Sequence, residues 1–510
     1  MKSGITRHKN QKCVQVSMKL KKLLKGIPVL QVKGSKEIEI SGVCANSQLI
    51  APGNLFIAKK GLKFDGNLYI PEAINHGAIA IVTDIYDPTL KEVTQIICKD
   101  VAEVEGQFSA NFYQMPSQDL FTVGITGTNG KTTTSFLVKH LLEQLNIPCG
   151  LIGTIEYILG RYRYKASHTT PDVHSNHRML REMVHQGCQA AVMEVTSHAL
   201  DQKRVEYIDF DTAIYTNLTQ DHLDYHYTME RYADTKRKLF LQLDQIPSKK
   251  NKKIIANQDC PWVKTILKDI KTPIFTFGIN HPADLRAYPT SFKPHGTYLE
   301  LGYQGCNYPA FFPLIGRFNI YNCLAAIAVG LTRHVPLEKL IELAQTFPPP
   351  PGRLEPVTNE IGLNLFVDFA HTEDALYNAL ECLTELKKGK IITVFGCGGD
   401  RDKSKRAKMA KASATFSDLT IVTSDNPRSE EPLKIIQDIV QGFQAPAHYL
   451  VQPDRYSAIA LAIEKAHPGD IILIAGKGHE NTQIFAHQTV EFDDRKVAKE
   501  ICTKMSLNTP

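Results

Sequence analysis

Short runs of apolar residues alternate with helix-forming segments along most of the chain. "LFTVGIT" (120–126) leads into a predicted helix at about 132–146, where leucines and a valine recur on one side. "AAVMEVT" and "TAIYTNL" follow as continuous apolar strands, which is the pattern of a buried parallel sheet. Beyond residue 350 the alternation resumes with "LNLFVDF", "KIITVFG", "DLTIVTS" and "DIILIAG", and helices are predicted at 431–443 and 454–466. The pattern predicts two α/β sheets and a smaller N-terminal α/β unit.

Two turn-rich segments divide this pattern into blocks. "NFYQMPSQDL" (111–120) is polar, and "TFPPPPGRLE" (346–355) holds four consecutive prolines, which resist both helix and sheet. A chain of 510 residues is also too long for one core and suggests about three domains. We predict a small N-terminal α/β domain over 1–117, a central domain with a parallel sheet of the phosphate-loop ATPase kind over 118–348, and a C-terminal Rossmann-like α/β domain over 349–510.

The composition is that of a soluble globular protein, with 43% hydrophobic and 22% charged residues. No apolar run approaches the roughly 20 residues that span a bilayer. The eleven cysteines include no CxxC pair, which favours reduced thiols in a cytoplasm over a disulfide framework or a zinc site. We therefore expect a cytoplasmic protein that makes no stable association with a membrane.

Positive charge concentrates at the start of the chain. Residues 1–25 hold eight lysines and arginines and no acid, within a net charge of +6. This run lacks the apolar core of a signal peptide, and a solvated tail is favoured over contact with nucleic acid or a membrane. Met18 is an alternative start of the protein.

A glycine-rich segment, "GITGTNGKTTT" (124–134), lies between a predicted strand and a predicted helix. Gly127 and Gly130 would let backbone N–H groups turn towards a phosphate, Lys131 would neutralise it, and Thr132 could hold Mg²⁺. The spacing is GxxGxxGK[ST], because Ile125 stands where the general phosphate-loop pattern has glycine. The strand–loop–helix context favours ATP binding over a chance glycine-rich turn.

Further polar residues follow the neighbouring predicted strands. Glu194 ends an apolar strand, where its carboxylate can reach a metal held at the loop. Asn217, Asp221 and His222, in "TNLTQDHLDYH", follow another strand and are predicted at the same rim. His222 and His226 have the i, i+4 spacing of a zinc pair, but no third ligand is evident, so this alternative is the weaker one.

Beyond these single sites, many segments of the chain resemble the Mur ligase family, the ATP-dependent amide-forming enzymes of peptidoglycan synthesis. In family order between residues 124 and 480 stand "TGTNGKTT", "MEVTSHALDQKRV", "TNLTQDHLDYH", "GRFNIYN", "VDFAHTEDAL", "FGCGGDRDKSKR", "SDNPR" and "AGKGHE". The N-terminal segments "ANSQLIAPGNLFIAKKG" and "DGNLYIPEAINHGA" resemble the family's nucleotide-sugar domain. Within the family, the chain looks most like the enzymes that add diaminopimelate as the third amino acid.

The resemblance implies roles in ATP and metal binding. The implied ATP contacts are Gly127, Thr128, Asn129, Gly130, Lys131, Thr132, Thr133, Asn319, Arg353, Asp368, His371 and Asp374. Lys236 matches a lysine that family members carbamylate to help hold a second Mg²⁺, although by itself it would be taken for a solvated charge on a basic helix. The implied catalytic residues are Lys131, Glu194, His222 and Lys236, and the implied Mg²⁺ ligands are Thr132, Glu194, His222 and carbamylated Lys236.

The resemblance also implies a site for UDP-N-acetylmuramoyl-L-alanyl-D-glutamate, hereafter the UDP-muramoyl dipeptide. Its implied contacts are Ala45, Ser47, Thr169, Thr170, Thr196, Gln202 and Arg204. Ala45 stands where such ligases usually carry a larger apolar residue, and Thr196 replaces a serine with retention of the hydroxyl. His168 stands where some relatives have asparagine, and its role is left open.

The segment "SDNPR" is predicted to bind the amine substrate. A guanidinium such as that of Arg428 binds a carboxylate through two parallel hydrogen bonds, and meso-2,6-diaminopimelate differs from lysine by a carboxylate on its distal carbon. The resemblance agrees, because lysine-adding relatives lack this arginine. Arg401 would be a second cation, and Glu480 would bind the distal ammonium. The implied diaminopimelate contacts are Arg401, Asp425, Asn426, Pro427, Arg428, Gly476 and Glu480.

Two other interpretations apply to the same C-terminal segments. "DNPR" alone resembles a capped helix entry, with Glu430 and Glu431 in the first turn, but an unpaired arginine there would oppose the helix dipole. "GCGGDR" resembles a dinucleotide fingerprint, but Arg401 occupies the position of its third glycine. Four groups of residues follow predicted strand ends and are expected at one rim, where ligands of open α/β sheets bind: His371, Arg401, Asp425–Arg428 and Gly476–Glu480.

The sequence therefore predicts a monomeric ATP- and Mg²⁺-dependent ligase. It would join meso-2,6-diaminopimelate to the UDP-muramoyl dipeptide through an acyl phosphate, because oxide is a poor leaving group from a carboxylate. The alternatives are a lysine-adding or folylpolyglutamate-type ligase and, from another class, a phosphate-loop nucleic-acid ATPase. The N-terminal segments argue against the folylpolyglutamate type. The lack of an aromatic and basic stripe beyond the tail argues against a nucleic-acid partner.

Overall fold

The computed structural model describes residues 17–61, 65–246 and 248–507, so most of the basic tail lies outside the described residues. A five-stranded sheet, an eleven-stranded sheet and a six-stranded sheet follow one another along the chain. Each sheet has helices packed against it and its own buried apolar residues. The predicted α/β class with two large sheets and a smaller N-terminal unit is confirmed.

The N-terminal unit has a sheet in the order β2-β7-β6-β5-β4, in which only the β2–β7 pair is antiparallel. Its strands are β1 (Met18–Lys19), β2 (Gln31–Lys33), β3 (Glu39–Ile40), β4 (Gly42–Cys44), β5 (Asn54–Ile57), β6 (Ala80–Thr83) and β7 (Thr94–Ile97). Its helices are α1 (Leu20–Leu23), α2 (Ile70–Asn75) and α3 (Val101–Phe112).

The central unit is built on the eleven-stranded sheet. Its strands are β8 (Phe121–Thr126), β9 (Cys149–Ile152), β10 (Glu156–Leu159), β11 (Tyr162–Lys165), β12 (Ala190–Glu194), β13 (Thr212–Tyr215), β14 (Lys253–Asn257), β15 (Ile274–Gly278), β16 (Leu285–Lys293), β17 (Gly296–Tyr303) and β18 (Cys306–Phe312). Its helices are α4 (Lys131–Gln144), α5 (Val173–His185), α6 (Ser197–Asp201), α7 (Leu223–His226), α8 (Met229–Gln245), α9 (Val263–Ile266), α10 (Arg317–Thr332) and α11 (Leu337–Ala344).

The central sheet is parallel only in its middle. In the order β11-β10-β9-β12-β8-β13-β14-β15-β16-β17-β18, the strands from β9 to β16 run parallel, and antiparallel strands extend both edges. The predicted parallel sheet is therefore confirmed for the strands from β9 to β16, and it is extended by antiparallel strands that the sequence pattern does not predict. The added strands β17 and β18 mix exposed and buried positions, in contrast to the continuous apolar strands β12 and β13. Helices α4 and α10 pack on one face of the sheet, and α5 and α8 on the other.

The C-terminal unit has a sheet in the order β19-β20-β24-β21-β22-β23, parallel except for the short β19. Its strands are β19 (Glu355–Pro356), β20 (Asn364–Asp368), β21 (Ile391–Phe395), β22 (Leu419–Val422), β23 (Tyr449–Val451), β24 (Ile471–Ala475), β25 (Thr482–Ile484) and β26 (Thr489–Glu491). Its helices are α12 (Glu373–Thr384), α13 (Lys405–Phe416), α14 (Pro432–Val440), α15 (Arg455–Lys465) and α16 (Asp494–Leu507).

Candidate active site

The phosphate-binding loop connects β8 to α4 and requires glycine at two positions. Gly127 and Gly130 have φ values of +152° and +85°, which disfavour residues with a side chain. A Cβ at Gly127 would collide with Thr216 Oγ1, and one at Gly130 would collide with Asn322 Oδ1. These two glycines therefore let the loop lie against β13 and α10.

Asn217, just past the end of β13, holds the loop in shape through both its side chain and its backbone carbonyl. The Asn129 N–H donates to Asn217 Oδ1 at 2.9 Å, and the Thr128 N–H donates to the Asn217 carbonyl at 2.9 Å. The Lys131 ammonium donates to the carbonyls of Gly127 and Thr128, both at 2.8 Å. Burial lowers the pKa of Lys131, although the carboxylates of Glu194 and Asp221 act in the opposite direction. Thr133, at the start of α4, is buried beneath the loop.

Glu194, fully buried at the end of β12, gathers hydroxyl groups beside the loop. Its Oε2 accepts from the hydroxyls of Thr132 and Thr154, both at 2.9 Å, and its Oε1 accepts from the Thr154 N–H at 2.9 Å. Carboxylate and hydroxyl oxygens are the hard ligands that Mg²⁺ prefers, so this donor set fits the predicted ion. Within the described ranges, no group of three His, Cys, Asp or Glu side chains could hold a metal ion. Mg²⁺ would therefore take most of its ligands from water and phosphate oxygens.

Lys236 on α8 is buried, with only 1% of its surface exposed. Its ammonium donates to the Gly127 carbonyl at 2.9 Å and lies 4.4 Å from the centroid of the Tyr232 ring. No carboxylate lies within ion-pair distance of it among the residues that the structure describes. Burial lowers the pKa of Lys236 far below that of an ordinary lysine, and the charge of Lys131 lowers it further. The interpretation of Lys236 as a solvated surface charge is therefore wrong.

His222 lies beside this lysine site rather than in a zinc site. Its ring lies 6.3 Å from the Tyr232 ring and 4.9 Å from the His198 ring, measured between centroids. His226, four residues on, is buried and contacts the Ser197 hydroxyl at 2.9 Å through Nε2. Burial lowers the pKa of His226 to about 4, so its imidazole is neutral near pH 7. The zinc-pair alternative gains no support from the described residues.

Residues of the C-terminal unit reach the phosphate-binding loop. Arg353 Nη2 lies 3.4 Å from Thr132 Oγ1, within hydrogen-bond distance. Asp374 Oδ2 accepts from Asn129 Nδ2 at 2.6 Å and from the Thr219 hydroxyl at 3.1 Å. The implied nucleotide contacts on the two units are therefore close together.

Three other implied nucleotide contacts lie at the end of β20, in the loop after it and on α10. Asp368 Oδ2 accepts from the Leu354 N–H at 2.6 Å, and burial raises the pKa of Asp368 although the charge of Arg353 lowers it. His371 Nδ1 lies 2.8 Å from the Phe369 carbonyl oxygen. Asn319 is buried on α10 and accepts from Asn322 Nδ2 at 2.9 Å.

The implied dipeptide contacts form one connected group next to Glu194. The Thr170 hydroxyl donates to the Glu194 carbonyl at 2.7 Å and lies 3.3 Å from the Thr196 hydroxyl. The Thr169 hydroxyl lies 3.1 Å from that of Thr154. Arg204 donates to the Thr170 carbonyl at 2.9 Å, and its Nη2 donates to Gln202 Oε1 at 2.7 Å.

A cavity of about 280 Å³ opens beside this group and is shared by the N-terminal and central units. The residues lining it are Lys59, Glu105, His168, Asp172, Val173, Gln202 and Arg204. Ser47 and Ala45 are not among them. The Ser47 hydroxyl donates to Glu72 Oε2 at 2.6 Å, and Ala45 is half-buried beside the N-terminal core. The structure thus brings the other implied dipeptide contacts together but leaves these two within the N-terminal unit.

The segment 425–428 lies past the end of β22, at the rim that the sequence predicts. Asp425 is buried, its Oδ1 accepts from the Asn426 N–H at 2.6 Å, and a Cβ at Gly476 would come within 2.6 Å of its Oδ2. Asn426 Nδ2 donates to Glu480 Oε2 at 2.7 Å. The loops after β22 and β24 are therefore joined at this rim. Pro427 is buried between Asn426 and Arg428.

Arg428 differs from its predicted surroundings. Helix α14 begins at Pro432, so neither Arg428 nor Glu430 lies in its first turn, and the helix-entry interpretation is wrong. Glu430 instead pairs with the buried Arg406 at 2.9 Å. Arg428 has a φ of +52° and donates from Nη1 to the Gly399 carbonyl at 2.7 Å, so it is not without a partner. Arg401 is exposed and donates to the Asp400 carbonyl at 3.1 Å.

Two residues for which the sequence predicts no role contact the candidate site residues. Thr154 bridges Glu194 and Thr169, and it follows strand β9, so the strand-end argument used for Glu194 could have found it. Lys477 lies in the matched segment "AGKGHE" and is completely buried. The sequence contains no signal that this lysine is buried.

Three family models match the chain in succession. The model described as "Mur ligase family, catalytic domain" matches residues 39–113, "Mur ligase middle domain" matches 125–330, and "Mur ligase, glutamate ligase domain" matches 352–478. The chain belongs to the Mur ligase family. This membership removes the phosphate-loop nucleic-acid ATPase from the alternatives.

The chain is also similar to curated UDP-N-acetylmuramoyl-L-alanyl-D-glutamate–2,6-diaminopimelate ligases. It is 43% identical to that of Chlamydia caviae over 95% of this chain and 99% of the relative, and 41% identical to that of Listeria monocytogenes over 94% and 98%. A solved structure of a ligase with the same description matches with a TM-score of 0.70 and 29% identity, covering 96% of this chain and 99% of that one. A structure of MurF ligase from Thermotoga maritima in complex with ADP matches with a TM-score of 0.60 at 18% identity, covering 91% and 96%, and shares the fold.

No helix in the described part of the chain is both long and apolar enough to cross a bilayer.

Proposed function

We propose that this protein is an ATP-dependent ligase that joins meso-2,6-diaminopimelate to UDP-N-acetylmuramoyl-L-alanyl-D-glutamate in peptidoglycan precursor synthesis. Similarity to diaminopimelate ligases over nearly the whole chain supports the substrate pair. We further propose a monomeric enzyme of the cytoplasm, in keeping with its cysteine usage. We also propose that the protein has three domains with the limits predicted from the sequence, 1–117, 118–348 and 349–510.

The observation that carries the amine specificity is the orientation of Arg428. Its Nη1 is fixed to the Gly399 carbonyl at 2.7 Å, and neither Nε nor Nη2 donates to any residue in the described ranges. The free edge of the guanidinium can therefore bind a carboxylate through two hydrogen bonds. Glu480 is linked to the same turn through Asn426, so an acceptor for an ammonium group lies next to the carboxylate site. The Arg428 guanidinium and the Glu480 carboxylate are thus complementary to the carboxylate and the ammonium group on the distal carbon of diaminopimelate.

The remaining residues support activation of the dipeptide carboxylate. An amide does not form readily from a carboxylate, and transfer of the γ-phosphoryl group of ATP produces an acyl phosphate that an amine can attack. The Lys131 ammonium would neutralise charge on the transferring group, and Arg353 would bring a second cation to the Thr132 hydroxyl. The group formed by Thr170, Thr196 and Arg204 would hold the dipeptide beside Glu194, where the reacting carboxylate must lie.

Mg²⁺ would be held by Thr132 and Glu194, where it would offset phosphate charge. We propose that a second Mg²⁺ is held near His222 by carbamylated Lys236. A carbamate forms when a neutral amine attacks CO₂ and loses a proton, giving an N-linked carboxylate. The lowered pKa of Lys236 and its lack of a carboxylate partner among the described residues favour the neutral amine that this reaction needs.

Arg428→Ala is expected to remove the preference for diaminopimelate. Removing one partner of a charge-assisted, desolvated pair costs roughly 2–5 kcal/mol, or about one and a half to four decades in specificity. The kcat/KM for meso-diaminopimelate should fall by this factor, whereas the already poor use of lysine should change much less because lysine has no distal carboxylate. Arg428→Lys should recover only part of the loss, because an ammonium group cannot make the paired contact.

Steady-state kinetics with both amino acids in the three proteins make this test. Lys434 is an exposed cation on α14 that pairs with Glu431 at 3.5 Å, so Lys434→Ala shows whether loss of any cation in this unit has the same effect. If wild type prefers lysine, or if both substrates decline equally in Arg428→Ala, Arg428 does not select the substrate.

A further inference from the structure

The loop after β24 contains a charged side chain that the proposed chemistry does not use. Lys477 has 0% of its surface exposed. Its ammonium donates to the Thr482 carbonyl at 2.6 Å, to Asn426 Oδ1 at 3.2 Å and to Glu480 Oε2 at 3.3 Å. An ammonium group has three protons, so these three acceptors use all of them. Lys477 is closed to any ligand and can act only through its neighbours.

The hydrogen bonds of Glu480 are unevenly distributed between its two oxygens. Oε2 accepts from Lys477 and also from Asn426 Nδ2 at 2.7 Å. Oε1 receives no hydrogen bond from any residue in the described ranges, and the side chain is 34% exposed. One oxygen is thus fixed inside the protein, and the other is left for a partner from outside.

The amide of Asn426 is fixed in the same way. Its Oδ1 accepts from Lys477 and from the Ile484 N–H at 3.0 Å, which directs Nδ2 towards Glu480. A buried charge is costly unless its partners are well placed, so Lys477 stabilises this one arrangement over others. The ammonium of Lys477 is therefore the common anchor of both side chains.

We propose that Lys477 is a positioning residue of the amino-acid site, which holds Glu480 so that Oε1 faces the distal ammonium of the substrate. The inference rests on the proposed function, because that function assigns the ammonium contact to Glu480. Without Lys477, the Glu480 side chain can rotate and Asn426 loses an anchor. Selection for an ammonium group next to the distal carboxylate then weakens, while recognition of the carboxylate by Arg428 remains.

The test compares two substrates that differ only at this ammonium group. meso-Diaminopimelate carries it, and 2-aminopimelate keeps the distal carboxylate but lacks the distal amine. In Lys477→Met, kcat/KM for meso-diaminopimelate should fall about tenfold to a hundredfold, by analogy with the loss measured when a residue that orients a metal ligand is removed. The fall should come mainly from KM for the amino acid. The kcat/KM for 2-aminopimelate should change little. The substrate ratio, which is kcat/KM for meso-diaminopimelate divided by kcat/KM for 2-aminopimelate, should therefore become smaller.

Two further variants make the result interpretable. Asn426→Ala removes the hydrogen bond from Asn426 Nδ2 to Glu480 Oε2, so it should lower the same substrate ratio. This variant provides the test if Lys477→Met does not fold. Lys252 is a buried lysine of the central unit that pairs with Asp209 at 2.6 Å. Lys252→Met should lower the melting temperature and leave the substrate ratio unchanged.

The outcomes separate this inference from the proposed function. An equal fall for both substrates in Lys477→Met and Asn426→Ala would make Lys477 a purely structural residue and overturn the inference. A wild-type protein that does not ligate meso-diaminopimelate would overturn the proposed function itself, before any variant is compared.

Discussion

Lys131→Ala is expected to abolish ATP-dependent ligation while the protein stays folded. The ammonium group lies inside the phosphate-binding loop, within 2.8 Å of two loop carbonyl oxygens, where the charge of a transferring phosphoryl group would be concentrated. Loss of one oriented donor from such a site typically costs about a hundredfold to a thousandfold in kcat, and loss of a full charge should cost at least the upper value. Phosphate release and formation of the UDP-muramoyl tripeptide are the measurements.

Lys139 provides a matched control on the same helix. It is buried two turns further along α4, where it pairs with Glu143 at 2.5 Å and has no contact with the loop. Lys139→Ala should therefore ligate at the wild-type rate, whatever it does to stability. Full activity in Lys131→Ala, with folding verified by circular dichroism, would exclude the loop from the mechanism.

Lys236→Ala is expected to be nearly inactive and to recover in part when acetate is added. An unmodified lysine has no oxygen to offer Mg²⁺, whereas its carbamate has two, and a small carboxylate can occupy the space that the alanine leaves. The same reasoning predicts a carbamate signal in NMR spectra of the wild type recorded with isotope-labelled bicarbonate. The signal should be absent in Lys236→Ala.

Lys238 is the control that shows whether loss of activity is specific to Lys236 or follows the loss of any lysine from α8. It lies on the same helix, but it is 49% exposed and pairs with Asp201 at 3.1 Å. Lys238→Ala should retain activity and the carbamate signal. A wild-type spectrum without that signal, or a fully active Lys236→Ala, would contradict the role proposed for this lysine.

The parallel strands were predictable from the sequence because each is a short, continuous apolar run. The helices predicted at 132–146, 431–443 and 454–466 correspond to α4, α14 and α15 within three residues at either end. Strand ends then locate the polar residues that follow them, which is why Glu194 and Asn426 lie at the predicted rims. The antiparallel strands β17 and β18, which follow β16, were not predicted, because they are not continuous apolar runs: exposed and buried positions are mixed along each of them.

The partners of charged side chains could not be predicted, because burial depends on contacts between distant segments. Lys236 lies in a basic helix and looks solvent-exposed in sequence, but its ammonium points to a carbonyl more than a hundred residues away. Arg428 looks unpaired near a helix start, yet it is anchored to Gly399 on the loop after β21. The periodicity of apolar residues predicts the helices and strands, but the chemical role of each charged side chain depends on hydrogen bonds between loops that are distant in sequence.

The most direct test of the central claim is a phosphate-release assay with the purified protein, ATP, Mg²⁺ and the UDP-muramoyl dipeptide, run against a panel of amino acids. The account predicts rapid release only with meso-diaminopimelate, in step with formation of the UDP-muramoyl tripeptide. Lysine should give little release, and omission of the dipeptide should give none. Equal release with lysine, or release that does not depend on the UDP-muramoyl dipeptide, would contradict it.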